Sequence, residues 1–364
     1  MSLLSKLSIV IPTFNRPEYV MRSIRYWSDY DVTVHVLDGS QVPIEDRLFS
    51  LLGSNINYHH LPISLMERLY KSIKLVDTEY SMMSADDEFF IPSALESCIE
   101  EMKNNHEIVS CMGSAISFLV KDKKILTNVV YPTLRNHSVN QETPLARSIY
   151  HMSTYVPSSI YSVMRSDVWK KSIHALSYKN YEVFVRSIGE LQFEITSSYL
   201  GKSKVINELM WLRSFENEPI RVQESETTLG IHEFWHKDSN KLIRDEIINT
   251  IVKSISSKEE KEYMITKNVS LAFDAYINNL LKRLKKKSLK HRVVASIVPK
   301  TMVSLIIRSV ESIKNKDKKP SLSIQNVIST LNKKNVNVDI EALNEIEKIL
   351  LSFYNGQSVS NLSS

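Results

Sequence analysis

Glycine is scarce in this chain. Only seven glycines occur among 364 residues, and no two of them have the spacing of a GxGxxG or GxxxxGK[ST] loop, which binds phosphate through backbone N–H groups. A dinucleotide-binding fingerprint and a P-loop are therefore excluded. Any diphosphate that the chain binds has to be neutralised by a metal ion and basic side chains instead.

Cysteines and long apolar segments are also sparse. The two cysteines, Cys98 and Cys111, lack metal-type spacing, so we expect buried free thiols in a reducing compartment. No run of 18 apolar residues occurs, so we expect no membrane-spanning helix. The first residues have neither a basic segment nor a long apolar core, so we expect no signal peptide and a cytoplasmic location.

Alternating strands and helices are predicted at the start of the chain. Residues 7–11 are mostly Ile, Val and Leu, which predicts a buried parallel strand that Pro12 ends. Pro17 suits the first turn of a helix, and a second strand over residues 32–37 runs into Asp38. Strand, helix and strand form a right-handed parallel unit, whose ligands bind at the carboxyl ends of the strands.

Three acidic residues, Asp86, Asp87 and Glu88, directly follow another strand-like segment. Adjacent carboxylates repel one another, so a fold that ends a buried strand on them usually supplies a positive charge there. Mg²⁺ or Mn²⁺ would accept one or two carboxylates and complete its shell with water and substrate phosphates. A solvated acidic turn is the alternative. Thr13 and Asp38 follow the two earlier strands, so all three strand ends would form one constellation.

These segments resemble bacterial glycosyltransferases with the GT-A fold, most closely the large family-two type. The resemblance spans roughly residues 5–220 and rests on residues 9–17, 37–40 and 78–87. It implies an α/β fold, a Rossmann-like nucleotide-diphospho-sugar transferase domain, here followed by a mostly α-helical C-terminal extension. In that family the residue matching Asp38 hydrogen-bonds the nucleotide base, and the acidic motif binds the metal that bridges the diphosphate.

The acidic motif departs from the family's Asp-x-Asp pattern at one position. Ser84 stands where the first acid is usual. The resemblance therefore leaves Asp86 as the direct metal ligand, with Asp87 or Glu88 as candidates to compensate.

Two arginines are candidates for neutralising the diphosphate. Arg16 lies beside the first strand end, and Arg68 lies on a helix predicted for residues 65–75. A surface position is the alternative for each arginine. The predicted donor-binding residues are Pro12, Thr13, Asn15, Arg16, Asp38, Arg68 and Asp86.

A carboxylate near the anomeric carbon is needed to deprotonate the acceptor hydroxyl. In inverting enzymes of the GT-A family, an acid on the helix before a Gly-Lys turn does this. Counting back from the turn at 201–202, Glu190 matches that position, although Gly189 replaces its usual acidic neighbour. Glu182 and Glu194 are the other candidates, and the alternative is that these acids form only the wet face of a helix.

Two histidines, His232 and His236, have an i, i+4 spacing that would put both on one helix face, where they could bind a metal. In some GT-A members a histidine after the catalytic helix completes the metal shell. A helix-surface pair packed near Trp235 is the alternative. The predicted ligands of Mg²⁺ or Mn²⁺ are Asp86, Asp87, Glu88, His232 and His236.

The C-terminal part is locally basic. Residues 275–310 contain nine basic residues and no acidic one, and the mostly apolar segment 293–307 lies within them. A basic amphipathic helix of this kind favours an anionic membrane surface, whereas the alternative is a helix packed on the catalytic domain with a solvated lysine face. No RNA-binding or zinc signature accompanies it, so nucleic acid is not expected. The apolar stripe under the lysines is Ile277, Leu280, Leu281 and Leu284.

Four regions are predicted from these patterns. They are a GT-A domain (1–225), a helical region with the basic segment (226–318), a helical hairpin (319–356) and a disordered tail (357–364). Within the first region, residues 132–160 are predicted as a long polar loop that builds the acceptor site.

The sequence thus predicts an inverting, metal-dependent glycosyltransferase. It would move a sugar from a nucleotide-diphosphate sugar to a glycan or lipid-linked acceptor in cell-surface polysaccharide synthesis, at the inner face of the cell membrane. One alternative is a sugar-1-phosphate nucleotidyltransferase, although the glycine-rich N-terminal loop of such enzymes is absent. The other is a non-catalytic protein that binds sugar nucleotides or glycans, which Ser84 in the acidic motif favours.

Overall fold

A central sheet organises the fold. The structure is a computed structural model that describes residues 2–45, 53–176, 181–217, 228–256, 260–297 and 320–355. Within these residues nine strands form one sheet in the order β3-β2-β1-β4-β8-β6-β9-β5, with β7 paired to β6. The strands are β1 (Leu7–Thr13), β2 (Thr33–Asp38), β3 (Ile56–His60), β4 (Tyr80–Met83), β5 (Phe89–Phe90), β6 (Ile108–Lys121), β7 (Lys124–Val130), β8 (Val163–Arg165) and β9 (Lys202–Ser214).

Helices pack against the sheet and also form most of the C-terminal part of the chain. Pro17 begins the first helix, as expected for proline in a first turn, and Ser64 with Glu67 forms a capping box at the second. The helices are α1 (Pro17–Ser28), α2 (Leu65–Leu75), α3 (Pro92–Asn104), α4 (Pro144–Ser153), α5 (Ser166–His174), α6 (Ile188–Leu200), α7 (Ile231–Phe234), α8 (Lys241–Ile255), α9 (Glu262–Ile297), α10 (Ile324–Asn332) and α11 (Ile340–Tyr354).

The first four strands form the parallel half of the sheet. β3, β2, β1 and β4 run parallel, and β8 then pairs antiparallel with β4. The register joins Thr13 to Asp38, so two of the predicted strand ends lie side by side. The predicted fold class is confirmed in its architecture: an α/β, Rossmann-like domain with a parallel half-sheet is followed by a mostly helical C-terminal extension.

The prediction of a long loop over residues 132–160 is wrong in its central part. Helix α4 lies there, with Pro144 in its first turn and the Thr143 side chain accepting a hydrogen bond from the Ala146 backbone N–H. This threonine–proline start is an ordinary helix signal. The helix packs against α6 and α9, so it belongs to the core rather than to an open loop.

The apolar stripe on α9 packs inside the protein. Ile277 is fully buried in a cluster formed by α4, α6, α8 and α9, and Leu280 and Leu281 pack against the same cluster. The expectation that these three residues face a membrane is therefore wrong, whereas Leu284 is 41% exposed. Among the described residues, no helix combines the length and apolar character needed to cross a membrane. The side chains of the predicted apolar segment 293–307 lie outside the described part of the chain.

The predicted C-terminal helical pair is present as α10 and α11. Val327, Leu343 and Ile346 are buried in the same apolar cluster as the residues of β1 and α1. Near the end of α11, Phe353 contacts Tyr19 on α1 at 5.4 Å between ring centroids. The hairpin thus completes the core beside the sheet, and the predicted tail 357–364 lies outside the described residues.

Candidate functional site

A cavity of about 700 Å³ lies at the carboxyl ends of β1 and β4. This edge is where parallel α/β sheets bind ligands, and the volume is typical of ligand sites. The cavity brings together residues from positions 12 to 217 of the chain. Its polar lining includes Thr13, Arg16, Arg68, Asp86, Asp87, Glu88, Glu182, Glu190, Arg213 and Asn217, and Pro12 also contributes to the wall.

Asp86 is held at the cavity by two residues of the first loop. Thr13 Oγ1 donates a 2.7 Å hydrogen bond to Asp86 Oδ2, and Arg16 lies 3.3 Å from Oδ1. Burial raises the pKa of Asp86 to about 6, and the charge of Asp87 adds to this effect. The first loop and the acidic motif therefore form one unit, as their positions at neighbouring strand ends predict.

Asp86 and Asp87 fit the divalent cation that the resemblance implies. Both carboxylates line the cavity, and Mg²⁺ needs only one or two protein carboxylates when substrate phosphates supply further oxygens. Arg16 bridges them at 3.3 and 3.5 Å, distances of a weak ion pair that a ligand can replace. In the described parts of the chain, no group of three or more His, Cys, Asp or Glu side chains is arranged to hold a metal. The metal remains a prediction.

Glu88 has a different environment from its two neighbours. Its Oε2 accepts a 2.7 Å hydrogen bond from Trp211 Nε1, and burial raises its pKa to about 8. The predicted role of Glu88 as a metal ligand stays a prediction. Trp211 in turn stacks on Tyr161, with ring centroids 4.7 Å apart.

Arg68 is part of the site rather than a surface residue. It is only 4% exposed, and its Nη1 donates 2.6 Å hydrogen bonds to the backbone carbonyls of Thr13 and Leu37. A Cβ on Gly39 would lie 2.5 Å from Arg68 Cζ, so the glycine leaves room for the guanidinium. This arginine joins the ends of β1 and β2 beneath the cavity.

Asp38 and Asn15 lie behind the cavity rather than on its wall. The Asp38 carboxylate accepts hydrogen bonds from Ser40 N (2.9 Å), Ser40 Oγ (2.6 Å) and Tyr58 Oη (2.6 Å). The backbone N–H of Asn15 donates to Ser40 Oγ at 2.8 Å. Asp38 and Asn15, both predicted to bind the sugar-nucleotide donor, thus hold the loop after β2 in place. The contact of Asp38 with a nucleotide base stays a prediction.

Two of the three candidate bases hold the backbone in place. Glu182, in a short 3-10 turn, accepts hydrogen bonds from the N–H groups of Ser187 (2.6 Å) and Gly189 (2.9 Å) at the start of α6. Glu194 is fully buried and accepts from His151 Nε2 at 2.7 Å and from Ser159 N at 3.0 Å. Glu182 lines the cavity, whereas Glu194 does not.

Glu190 is the carboxylate that α6 presents to the cavity. Tyr155 Oη donates a short hydrogen bond to its Oε1. Burial raises the pKa of Glu190, an effect that this hydrogen bond and the charge of Arg213 oppose. A raised pKa makes this carboxylate a stronger base than an ordinary glutamate, which suits a general base.

The two histidines are not brought to the cavity. His232 lies on α7, but this helix ends at Phe234, so His236 lies beyond it. The prediction that both share one helix face is wrong because the helix is only four residues long. Neither histidine is among the residues that line the cavity.

Arg213 and Tyr161 are cavity residues that were absent from the predicted site. Arg213 lies near the end of β9 and donates a hydrogen bond to Tyr131 Oη. The sequence signal for Arg213 was its position directly after the apolar segment 210–212, where a further strand is expected to end. No local sequence pattern distinguished Tyr161. Its side chain stacks on Trp211, which is 50 positions away in the sequence.

A buried ion pair supports the acidic motif from behind. Arg22 Nη2 and Glu216 Oε2 are 2.7 Å apart, with the two side chains only 2% and 1% exposed. Arg22 also donates to the backbone carbonyl of Asp87 at 3.1 Å, and Asn217 Nδ2 donates to Asp87 Oδ2 at 2.9 Å. On α11, the Phe353 ring lies 4.7 Å from the Arg22 guanidinium. The C-terminal hairpin thus covers this pair.

Glu216→Gln is expected to lower the free energy of unfolding by about 3–5 kcal/mol, because it leaves the Arg22 charge buried without a charged partner. Chemical denaturation would measure the change. The control is Lys6→Gln, which breaks the exposed Lys6–Glu79 pair and should change stability by about 0–1 kcal/mol. Equal effects of the two substitutions would contradict the assignment.

Comparisons with known proteins yield structural similarity alone. No model of a known protein family matches the chain. No curated protein matches it. It is similar to a crystal structure of S. aureus TarS 1–349 at 13% sequence identity and a TM-score of 0.47, with 75% of this chain and 72% of that chain covered. It is also similar to TarS 1–349 in complex with UDP-GlcNAc at 14% identity and a TM-score of 0.47, with 75% of this chain and 73% of that chain covered. The complex of TarS 1–349 with UDP has 13% sequence identity and a TM-score of 0.49, with 97% of this chain and 92% of that chain covered.

Proposed function

We propose that this chain is a glycosyltransferase that uses a nucleotide-diphosphate sugar. The observation that carries the proposal is the composition of one cavity. Two carboxylates, Asp86 and Asp87, and the basic residues Arg16 and Arg213 share it with a separate carboxylate, Glu190. Basic groups and a divalent cation suit a diphosphate, and the separate carboxylate suits the deprotonation of an acceptor hydroxyl.

The proposed reaction assigns a role to each of these positions. Glu190 accepts the proton of the acceptor hydroxyl while the hydroxyl oxygen forms a bond to the anomeric carbon of the donor sugar. The bond from that carbon to the diphosphate oxygen breaks, and the nucleoside diphosphate leaves with the electron pair. Attack opposite the leaving group inverts the anomeric configuration, which is the outcome that a single base supports.

The negative charge that develops on the leaving diphosphate needs compensation. Arg16 and Arg213 line the cavity as cations, and the buried Arg68 adds a positive charge close behind them. Asp86 and Asp87 would hold Mg²⁺ or Mn²⁺, which supplies further charge neutralisation at the phosphates when bound. Preorganised charges of this kind usually account for a large share of catalysis.

Measuring donor hydrolysis with a panel of nucleotide sugars tests the proposal. A glycosyltransferase should release a nucleoside diphosphate from one or a few donors, slowly in water and faster with an acceptor. A sugar-1-phosphate nucleotidyltransferase would instead form a nucleotide sugar from a nucleoside triphosphate and a sugar phosphate. Binding without any turnover would favour the non-catalytic alternative, for which Ser84 in the acidic motif is the supporting observation.

The acceptor is proposed to be a glycan or a lipid-linked glycan at an anionic membrane surface, in cell-surface polysaccharide synthesis. Supporting this, Lys282 and Arg283 are exposed on α9, and the neighbouring Leu284 is 41% exposed. They begin the basic segment of the sequence. The protein would then lie on the inner face of the cell membrane.

The double variant Lys282→Gln with Arg283→Gln is expected to bind anionic vesicles about 30-fold more weakly, at about 1 kcal/mol for each basic residue near the surface. Cosedimentation with anionic and neutral vesicles measures this. Lys333→Gln with Lys334→Gln, two exposed lysines elsewhere, is the matched control. If salt does not weaken vesicle binding and the two double variants bind equally well, the basic segment is only a solvated helix face.

A further inference from the structure

The cavity has an apolar wall that the proposed chemistry leaves unexplained. Donor phosphates need the polar groups at the ends of β1, β4 and β9. The other elements around the cavity, α2, α5 and α6 with their adjoining loops, contribute hydrocarbon side chains. The residues of this apolar wall include Ile63, Met66, Ile160, Ile173, Leu176 and Phe193.

The apolar wall retains surface that a ligand can cover. Ile173, Leu176 and Phe193 are buried and form its base. Ile63, Met66 and Ile160 are only half-buried although they border a cavity of about 700 Å³. Apolar surface left in contact with water inside a cavity favours binding of an apolar group.

The apolar wall adjoins the proposed base. Gly189 directly precedes Glu190, and a Cβ on this glycine would lie 3.4 Å from Met66 Cε and 3.7 Å from Leu176 Cδ2. Phe193 follows Glu190 by three residues on α6, so both side chains lie on one side of that helix and both line the cavity. A hydroxyl that reaches Glu190 therefore brings the group that carries it against this wall.

We propose that the apolar wall is an acceptor subsite for a hydrocarbon chain, so that the acceptor is of the glycolipid type: a sugar or polyol joined to an alkyl group. This inference rests on the proposed function, because it takes Glu190 as the residue that the acceptor hydroxyl meets. The polar head lies at Glu190, and the first methylenes of the chain cover Met66 and Leu176. Each buried methylene strengthens binding about fourfold.

A series of alkyl glycosides from methyl to octyl, used below their micelle concentrations, tests the subsite by calorimetry. Head groups such as glucoside, galactoside and N-acetylglucosaminide are compared, since the sugar is unidentified. With the wild-type protein, octyl glycosides should bind at least about tenfold more tightly than methyl glycosides. Affinity that does not depend on chain length would overturn the proposal.

Met66→Gln, which keeps the length of the side chain but makes it polar, should remove most of the chain-length gain, and so should Ile160→Asn. Leu242→Gln is the control, since Leu242 is 80% exposed on α8 and lies outside the cavity. Thermal unfolding checks that each variant is folded. If the two wall variants retain the full gain, the chains bind elsewhere and the subsite is wrong.

The failure of this inference is distinguishable from failure of the proposed function. A protein that hydrolyses a nucleotide sugar but ignores chain length would lose only the subsite. A protein that shows the chain-length gain at Met66 but neither binds nor hydrolyses any nucleotide sugar would retain an alkyl-binding cavity and lose the transferase assignment.

Discussion

Asp86→Asn is expected to lower the rate of sugar transfer by about 10²–10⁴-fold, which corresponds to several kcal/mol of lost transition-state stabilisation. The substitution keeps the shape of the side chain, so the hydrogen bond from Thr13 Oγ1 can persist. It removes the charge that, together with Asp87, fits a divalent cation. Transfer should therefore lose its response to added Mn²⁺.

A binding measurement separates this loss from a failure to fold. In the wild type, Mn²⁺ should strengthen the binding of a nucleoside diphosphate, as measured by calorimetry, whereas in Asp86→Asn it should have no effect. Asp31→Asn, at an exposed aspartate before β2, is the control for loss of one carboxylate. Full-rate transfer by the wild type in excess chelator would show that Asp86 orients the donor without a metal.

The sequence predicts the parallel half of the sheet because its signals are local. Residues 7–11 are a mostly apolar segment of strand length, and Pro17 starts the following helix, so one segment of the chain specifies each element. Parallel strands then bring Thr13 beside Asp38 without further information. The position of the candidate site at this edge follows from the same local signals.

The division of tasks among the carboxylates is not local, so the sequence leaves it open. Glu182, Glu190 and Glu194 all lie on α6 or near it, and the sequence alone does not distinguish one glutamate from another. Their environments differ because distant segments meet them: Glu194 accepts hydrogen bonds from His151 and the loop at 158–160, whereas Tyr155 bonds Glu190. Only tertiary packing decides which of these acids faces the cavity.

The support of the acidic motif is equally remote from it in sequence. Arg22 and Glu216 are 194 residues apart, and Phe353 covers Arg22 from the last helix described. No spacing rule joins three such positions. The same holds for α9, whose apolar stripe at Ile277 is typical of a surface-binding helix but packs against α4 and α8. A helical stripe shows which face is apolar, and the surrounding fold determines what covers it.

Glu190→Gln is expected to lower kcat by about 10²–10⁴-fold while the affinity for the donor changes little, because a base acts in the transition state more than in donor binding. Glutamine keeps the acceptor oxygen for the Tyr155 hydroxyl but cannot take a proton. The pH profile gives an independent measurement. A base must be ionised, so kcat/KM of the wild type should fall as the pH drops through the pKa of Glu190, which burial places above that of an ordinary glutamate.

Glu194→Gln, one turn later on α6, is the matched comparison. Glu194 is fully buried and its oxygens accept hydrogen bonds from His151 and the 158–160 backbone, so its substitution should chiefly lower the free energy of unfolding. The acidic limb of the pH profile should disappear in Glu190→Gln and remain in Glu194→Gln. Near-normal turnover of Glu190→Gln would instead assign the role of base to Glu182, which lies in the turn before α6 and also lines the cavity. It could equally indicate a retaining mechanism, which needs no such base.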